Sequence, residues 1–321
     1  MSLASFFESI PEKQRNLQLG LACDNPMSGA FPHKRVVHAG LNGTLISPKE
    51  SQSVWDTVMR GAPKRGQMQC AYIHIPFCKT KCTYCGFFQN GTSQSIDKEY
   101  LPLANDYELT LEGRIHDLIP ENLEVWMNNG VNRMSIGIQS FNTEVRQMVG
   151  RLDTKETVLE RLAALKAYGQ CSVVIDLIYG LPGQTMEVWE QDLADLVSSG
   201  VDGADLYQLN VFDGSDLNRD IASGKVPPAA TTSMQGDMFE FGRKYLDARA
   251  YRRLSAAHWS ANNRERSLYN ILAKAGVPMF PFGSGAGGNV DGYGMMLHRA
   301  LKPYEDMVSR GEKPFMALMK Q

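Results

Sequence analysis

Three cysteines fall within eight positions of this 321-residue chain: Cys78, Cys82 and Cys85 in "HIPFCKTKCTYCGFF" (74–88), spaced CxxxCxxC. Such a cluster can cross-link, hold zinc or hold an iron–sulfur group. Six cysteines in a chain of this length do not make a disulfide framework, and in a reducing compartment a tight cluster binds metal rather than cross-linking. Structural zinc takes four ligands, usually as two separated pairs, and no second pair follows here. His74 is the one neighbour available as a fourth ligand, but its place in a strand fixes its facing and the rigid Pro76 separates it from Cys78. Three thiolates on one loop suit a 4Fe-4S cube whose fourth iron stays open. The spacing favours that cluster and keeps zinc as the alternative. Cys23, Cys70 and Cys171 are isolated and read as small buried hydrophobes.

An open iron can chelate the amino and carboxylate groups of S-adenosylmethionine (SAM) and pass it an electron. The sulfonium then cleaves to a hydrogen-abstracting 5′-deoxyadenosyl radical. Such chemistry needs a scaffold that brings polar groups to one mouth beside the loop. From residue 71 onward the pattern supplies one. "AYIHIP" (71–76), "YELTLEG" (107–113), "RMSIGIQSF" (133–141), "SVVIDLIYG" (172–180) and "ADLYQLNVF" (204–212) read as strands. Helical patterns lie between them. One runs from Pro120 to Gly130, a second opens on an Asp153/Glu156 capping pair and ends at Gly169, and a third ends at Gly200. Strands alternating with helices imply right-handed βαβ crossovers and a parallel sheet, open or wound into a barrel, with functional residues at the C-terminal strand ends. Asp176, mid-strand between apolar residues, needs partners if buried.

The remaining composition is that of a globular protein. The apolar content is 43% and the net charge −2, with no polybasic surface for nucleic acid or membrane. The opening "MSLASFFESIPEKQRN" lacks a secretory h-region, and no stretch approaches the roughly 20 apolar residues of a membrane span. A cytoplasmic location is expected. Residues 1–70 read as an irregular N-terminal extension, 71–228 as the core and 229–321 as a substrate-side subdomain. The linker "SGKVPPAA" sits at the second boundary, with an amphipathic helix near 232–249 and a glycine-rich segment beyond it.

"YIHIPFCKTKCTYCGFF" resembles the cluster loop of the radical-SAM superfamily, most closely the branch containing the oxygen-independent coproporphyrinogen oxidases. The resemblance continues through "LTLEG", "GVNRMSIGIQSFNTEVRQMVGR" and "VVIDLIYGLPGQT" and covers roughly residues 70–215. It implies a 4Fe-4S cluster on Cys78, Cys82 and Cys85. It also implies contacts to cluster-bound SAM from Tyr72 and Glu112, and contacts to that SAM or a second one from Gln139, Arg151 and Asp176. The bland reading of Arg151 is a capping charge at a helix end. "AHWSANNRERSLYN" (257–270) with "FGSGAGG" (282–288) resembles the heme-utilisation subgroup, the anaerobic heme-degrading methyltransferases. That implies SAM as methyl donor and radical source, and heme opened without oxygen with release of iron. Arg264 and Arg266 are then candidates for heme propionates and His258 for the heme face. The structural alternatives are a solvated polar helix for the arginines, a packed histidine beside Trp259 and a tight loop for the glycines. A low-potential electron donor such as flavodoxin or another reductase is implied as partner.

The chain also departs from that branch. No Gly-Gly-Gly-Thr-Pro motif occurs between residues 89 and 107 or later, and "YLPLAND" runs directly into "YELTLEG". The expected fold is therefore a partial (βα)6 barrel with one strand unit missing, an N-terminal extension and a truncated C-terminal subdomain. Coproporphyrinogen decarboxylation, a non-catalytic heme chaperone and a zinc-stapled module are the competing readings.

Overall fold

The computed structural model describes residues 43–61, 67–74, 82–84 and 106–321. Cys78 and Cys85 lie outside the described residues. In chain order the strands are β1 (Thr44–Leu45), β2 (Cys70–Ile73), β3 (Thr110–Arg114), β4 (Arg133–Gln139), β5 (Ser172–Tyr179) and β6 (Gly203–Gln208). They continue as β7 (Arg252–Arg253), β8 (His258–Ser260), β9 (Met279–Phe282), β10 (Gly287–Val290), β11 (Tyr293–Leu297) and β12 (Phe315–Lys320). The helices are α1 (Pro48–Gly61), α2 (Pro120–Asn128), α3 (Thr143–Met148), α4 (Lys155–Ala167), α5 (Met186–Ser199), α6 (Asp216–Ala222), α7 (Thr232–Asp247), α8 (Leu268–Lys274) and α9 (Leu301–Ser309). Among the described residues, no helix is long and apolar enough to cross a membrane.

The chain divides into two compact units. The first holds the described residues 82–84 and 106–266, the second 43–61, 67–74 and 267–321. The sequence puts a boundary near 228; in the structure, residues 229–266 belong to the first unit, where Met238 and Leu246 of α7 join the core beneath β5 and β6.

In the first unit the sheet order is β3-β4-β5-β6-β8-β7. Strands β3 to β6 are parallel, and β8 and β7 add antiparallel. Because side chains alternate along a strand, Met134, Ile136 and Ile138, Val173, Ile175 and Leu177, and Ala204 and Leu206 share one face. They pack on Leu162 and Leu165 of α4 and on Trp189, Leu193 and Leu196 of α5. The intervening positions, Glu112, Ser135, Gly137, Asp176 and Asp205, fall on the opposite face. That division makes one face core and the other chemistry.

Two local expectations change. The Asp153/Glu156 cap is replaced by Thr154, whose side chain accepts from Thr157 N, while the Asp153 carboxylate takes Arg161 at 3.1 Å. The polar helix expected around Arg264 and Arg266 is instead β8 followed by a turn. His258 and Trp259 are buried as strand residues, and the Asn262 side chain accepts from Arg264 N at 2.9 Å, a turn-forming bond.

The second unit has the order β1-β12-β11-β10-β9-β2, antiparallel throughout except for β2 beside β9. Residues 43–61, read from sequence as irregular, contribute β1 and the amphipathic α1. Trp55 and Val58 of that helix pack on Met295, Leu297, Phe315 and Leu318. The glycine-rich segment is a structural turn. Gly283 has φ +88°, and a Cβ there would lie 2.0 Å from the His74 carbonyl oxygen. We expect Gly283→Ala to destabilise by about 1–3 kcal/mol or more, read as a lowered melting temperature of the purified protein. An unchanged melting temperature would contradict this packing.

Candidate cofactor-binding site

The polar face of the parallel strands carries a row of residues set by register: Arg114 opposite Gly137, Gly137 opposite Asp176, Asp176 opposite Asp205, and Asp205 opposite His258. Glu112 lies one pleat away on β3, exposed, and Asp176 is half-buried. Burial, then Asp205 and Glu112, push the Asp176 carboxyl up to about 7 against the pull of Arg151 and Arg133. The face is acidic and suits a cation.

At its upper end β4 breaks register between Gly137 and Gln139, a bulge that re-aims the next side chain. Gln139 adopts φ 73°, unusual for a non-glycine residue. Two buried charges hold this turn. The Arg146 guanidinium donates to Ile138 O at 2.6 Å and Ser140 O at 3.1 Å. The Asp192 carboxylate accepts from Phe141 N at 2.7 Å, from Ser140 Oγ at 2.9 Å and from Gln184 Nε2 at 3.0 Å. Gln184 Oε1 in turn accepts from Gly180 N at 2.8 Å, so one carboxylate ties the ends of β4 and β5 together. The Gln139 amide, 7% exposed, keeps an Oε1 with no hydrogen-bond partner among the described residues. A buried acceptor left unpaired costs about 1–3 kcal/mol, which a ligand donor would recover.

Arg151 links this face to the cysteine loop. Its Nε donates to Tyr84 Oη at 2.9 Å and its Nη1 to Gly137 O. Burial raises the Tyr84 phenol pKa well above its ordinary value despite Arg151. Cys82 is buried two residues before Tyr84, and the intervening Thr83 bonds to Val149 O and Leu217 N. Arg151 is thus no helix cap: it joins the loop to β4. A Cβ on Gly137 would come within 2.6 Å of Gln139 Nε2 and 3.2 Å of Arg151 Nη2, so a side chain there would displace the ends of both.

Beneath the face lies a buried ionic floor. Glu265 accepts from Arg133 Nε at 2.9 Å and Nη2 at 3.2 Å, and from Ser172 Oγ at 3.2 Å. His258 bridges Glu265 Oε1 at 3.2 Å and Asp205 Oδ2 at 2.8 Å. These facts correct the sequence-based heme contact of His258. His258 is fully buried with both ring nitrogens committed to carboxylates, so it has none to offer a tetrapyrrole. Arg264 donates to the carbonyls of Gly169 and Cys171, at the N-terminal end of β5 and away from the strand mouths. Arg266 is exposed just before α8. Tyr72 sits on β2 in the second unit, where its hydroxyl meets His74 Nδ1 at 3.0 Å. Sequence reasoning missed Arg133, Asp205 and Glu265, although Asp205 shows the same mid-strand acid signal as Asp176.

The Radical SAM superfamily profile matches residues 98–196. The chain is 34% identical to anaerobilin synthase of Escherichia coli O157:H7, over 90% of this chain and 76% of that protein. It is 28% identical to the heme chaperone HemW of Lactococcus lactis, over 69% and 70% of the two chains. The solved structure of coproporphyrinogen III oxidase (HemN) from Escherichia coli superposes with a TM-score of 0.73, covering 90% of this chain and 79% of that one, at 18% identity. The chain belongs to the radical SAM superfamily. Members of the superfamily use a 4Fe-4S cluster and SAM. The residues present fit that pair of groups: thiolates at cluster spacing, an acidic face for a sulfonium, and an orphaned buried amide oxygen beside a glycine cradle.

Two outcomes follow from this geometry. Arg151→Ala should release the Tyr84 end of the cysteine loop and lower iron bound after anaerobic reconstitution by about tenfold, with iron and sulfide analysis as the check. The second concerns pH. Burial alone would lower the pKa of His258, but its bonds to Asp205 and Glu265 outweigh that and raise it to about 9. A raised folded pKa gives stability that is complete below the unfolded value of about 6.5 and fades as pH rises through 9. Urea midpoints should therefore drop between about pH 6 and pH 9.5 in the parent protein and lose most of that slope in His258→Gln.

Proposed function

We propose that this chain holds a 4Fe-4S cluster on Cys78, Cys82 and Cys85 and uses SAM to methylate heme or a related tetrapyrrole, opening the ring without oxygen and freeing its iron. The observation that carries the cofactor part is Arg151, which bonds both Tyr84 in the cysteine loop and Gly137 on the acidic face. The tetrapyrrole part rests on the 34% identity to anaerobilin synthase. When bound, cluster and SAM together supply one-electron, hydrogen-abstracting chemistry and a transferable methyl group.

The chain's own residues divide the remaining work. Glu112 and Asp176 accept hydrogen bonds from cofactor hydroxyls or ammonium, and Gln139 Oε1 takes one further donor. Arg151 keeps the cysteine loop against the strand ends. Tyr72 is assigned a contact to cluster-bound SAM. Electrons come from a low-potential donor such as flavodoxin. The core is read as a (βα)6 barrel lacking one strand unit. In support, β3 has β4 as its one sheet neighbour among the described residues, and the Gly-Gly-Gly-Thr-Pro motif is absent. That absence also favours a second reading, a non-catalytic heme carrier of the same fold, in line with the similarity to HemW.

Anaerobically reconstituted protein given SAM and a reductant should form 5′-deoxyadenosine when heme is present, together with a methylated, opened tetrapyrrole. Cys82→Ser should abolish both products. A cluster that assembles on a protein that binds heme yet never cleaves SAM would replace the enzymatic reading with the carrier.

A further inference from the structure

We propose that Asp176 carries the one proton of the carboxylate pair it forms with Asp205, that His258 and Glu265 hold Asp205 beside it, and that a sulfonium cofactor arriving on this face expels the proton from Asp176. This inference rests on SAM binding at the face, as read above.

The geometry starts with register. Asp176 and Asp205 are direct partners on adjacent parallel strands, so their side chains leave the same face about 5 Å apart. Two carboxylates that close resist double ionisation. Asp205 is the member with fixed cationic support. His258 presents one ring nitrogen to Asp205 and the other to Glu265, and two carboxylate partners require both nitrogens to carry protons. Glu265 is paired to Arg133 by two hydrogen bonds. Arg133 and imidazolium His258 thus balance Glu265 and Asp205, which leaves Arg151 to face Asp176 and Glu112 together.

The other groups facing Asp176 do not change that balance. Glu112 from β3 adds negative charge, and Tyr207 on β6 hydrogen-bonds to Asp205 and stays protonated. Arg151 faces it from beyond α3, and because its bonds to Tyr84 and Gly137 are to neutral groups its charge favours the carboxylate, but burial, Asp205 and Glu112 together outweigh it. Asp176 is therefore the carboxyl that holds a proton near neutrality. A ligand carrying a fixed positive charge favours the carboxylate. On binding, the Asp176 O–H bond breaks heterolytically and the proton passes to buffer, with no redox change. His258 and Glu265 act as positioning residues, through charge.

The test uses anaerobically reconstituted protein with its cluster oxidised. Carbon-13 NMR of side-chain-labelled aspartate should show, besides the buried Asp192 near pH 6, a carboxyl titrating between pH 6 and 8 that is absent in Asp176→Asn and moved to lower pH in Asp205→Asn. In His258→Gln the pair should hold its proton to higher pH. Titration calorimetry with SAM at pH 7, in phosphate and in Tris, should show about half a proton released. Asp176→Asn should bind more weakly and, at SAM concentrations that saturate it, release none. Absence of such a carboxyl titrating in that range, or unchanged proton release in Asp176→Asn, overturns the proposal. Failure of SAM to bind, with the carboxyl still titrating near neutrality, overturns the cofactor assignment instead and leaves the proton on Asp176 standing.

Discussion

Four acidic side chains gathered on and beneath one sheet face have to be neutralised, and the first unit is organised around doing so. Asp176, Asp205 and Glu265 would repel one another in a protein interior, where an uncompensated charge costs several kcal/mol, and Glu112 adds its charge at the exposed edge. Arg133 from the start of β4 and His258 from β8 supply the answering charge from below. This explains why β8 adds antiparallel to β6 at all: its register delivers His258 opposite Asp205. Negative charge that remains unbalanced is thereby confined to the open side, where a cationic ligand can meet it.

The second constraint is at the strand ends. A parallel sheet presents its C-terminal ends to ligands, but those ends are loops and must be stiffened. Asp192 and Arg146, both fully buried, do this by binding backbone and side-chain groups of the turns after β4 and β5. Gln139 can then sit at a positive φ with an unpaired amide oxygen, a strained arrangement of the kind found where a ligand binds. Arg151 extends the stiffened region to the cysteine loop. Cofactor face and cluster loop become one construction through a single guanidinium.

Much of this was legible in the sequence. Alternating strands and helices gave the parallel β3–β6 order, and the mid-strand Asp176 announced a polar face because nothing apolar explains it. Cluster chemistry followed from three cysteines without a second pair. What stayed hidden shares a cause: partners far apart in the chain. Glu265 stands 132 residues from Arg133 and Asp205 stands 53 from His258, so no local pattern marks either pair. "NNRERS" looks like a solvated helix because its charges are dense, yet its glutamate is the most buried acid in the network and the first of its two arginines, Arg264, is spent on backbone carbonyls. Residues 43–61 were hidden for another reason. Their strand is two residues long and exists only as an edge added to β12.

The central claim is that the acidic strand face receives SAM beside a cluster carried by the cysteine loop. Electron paramagnetic resonance of the reconstituted, dithionite-reduced protein tests it directly. The account predicts the signal of a reduced 4Fe-4S cluster whose g-values shift when SAM is added, because the cofactor's amino and carboxylate groups reach the open iron. A cluster that reduces normally and keeps the same spectrum at saturating SAM would contradict it.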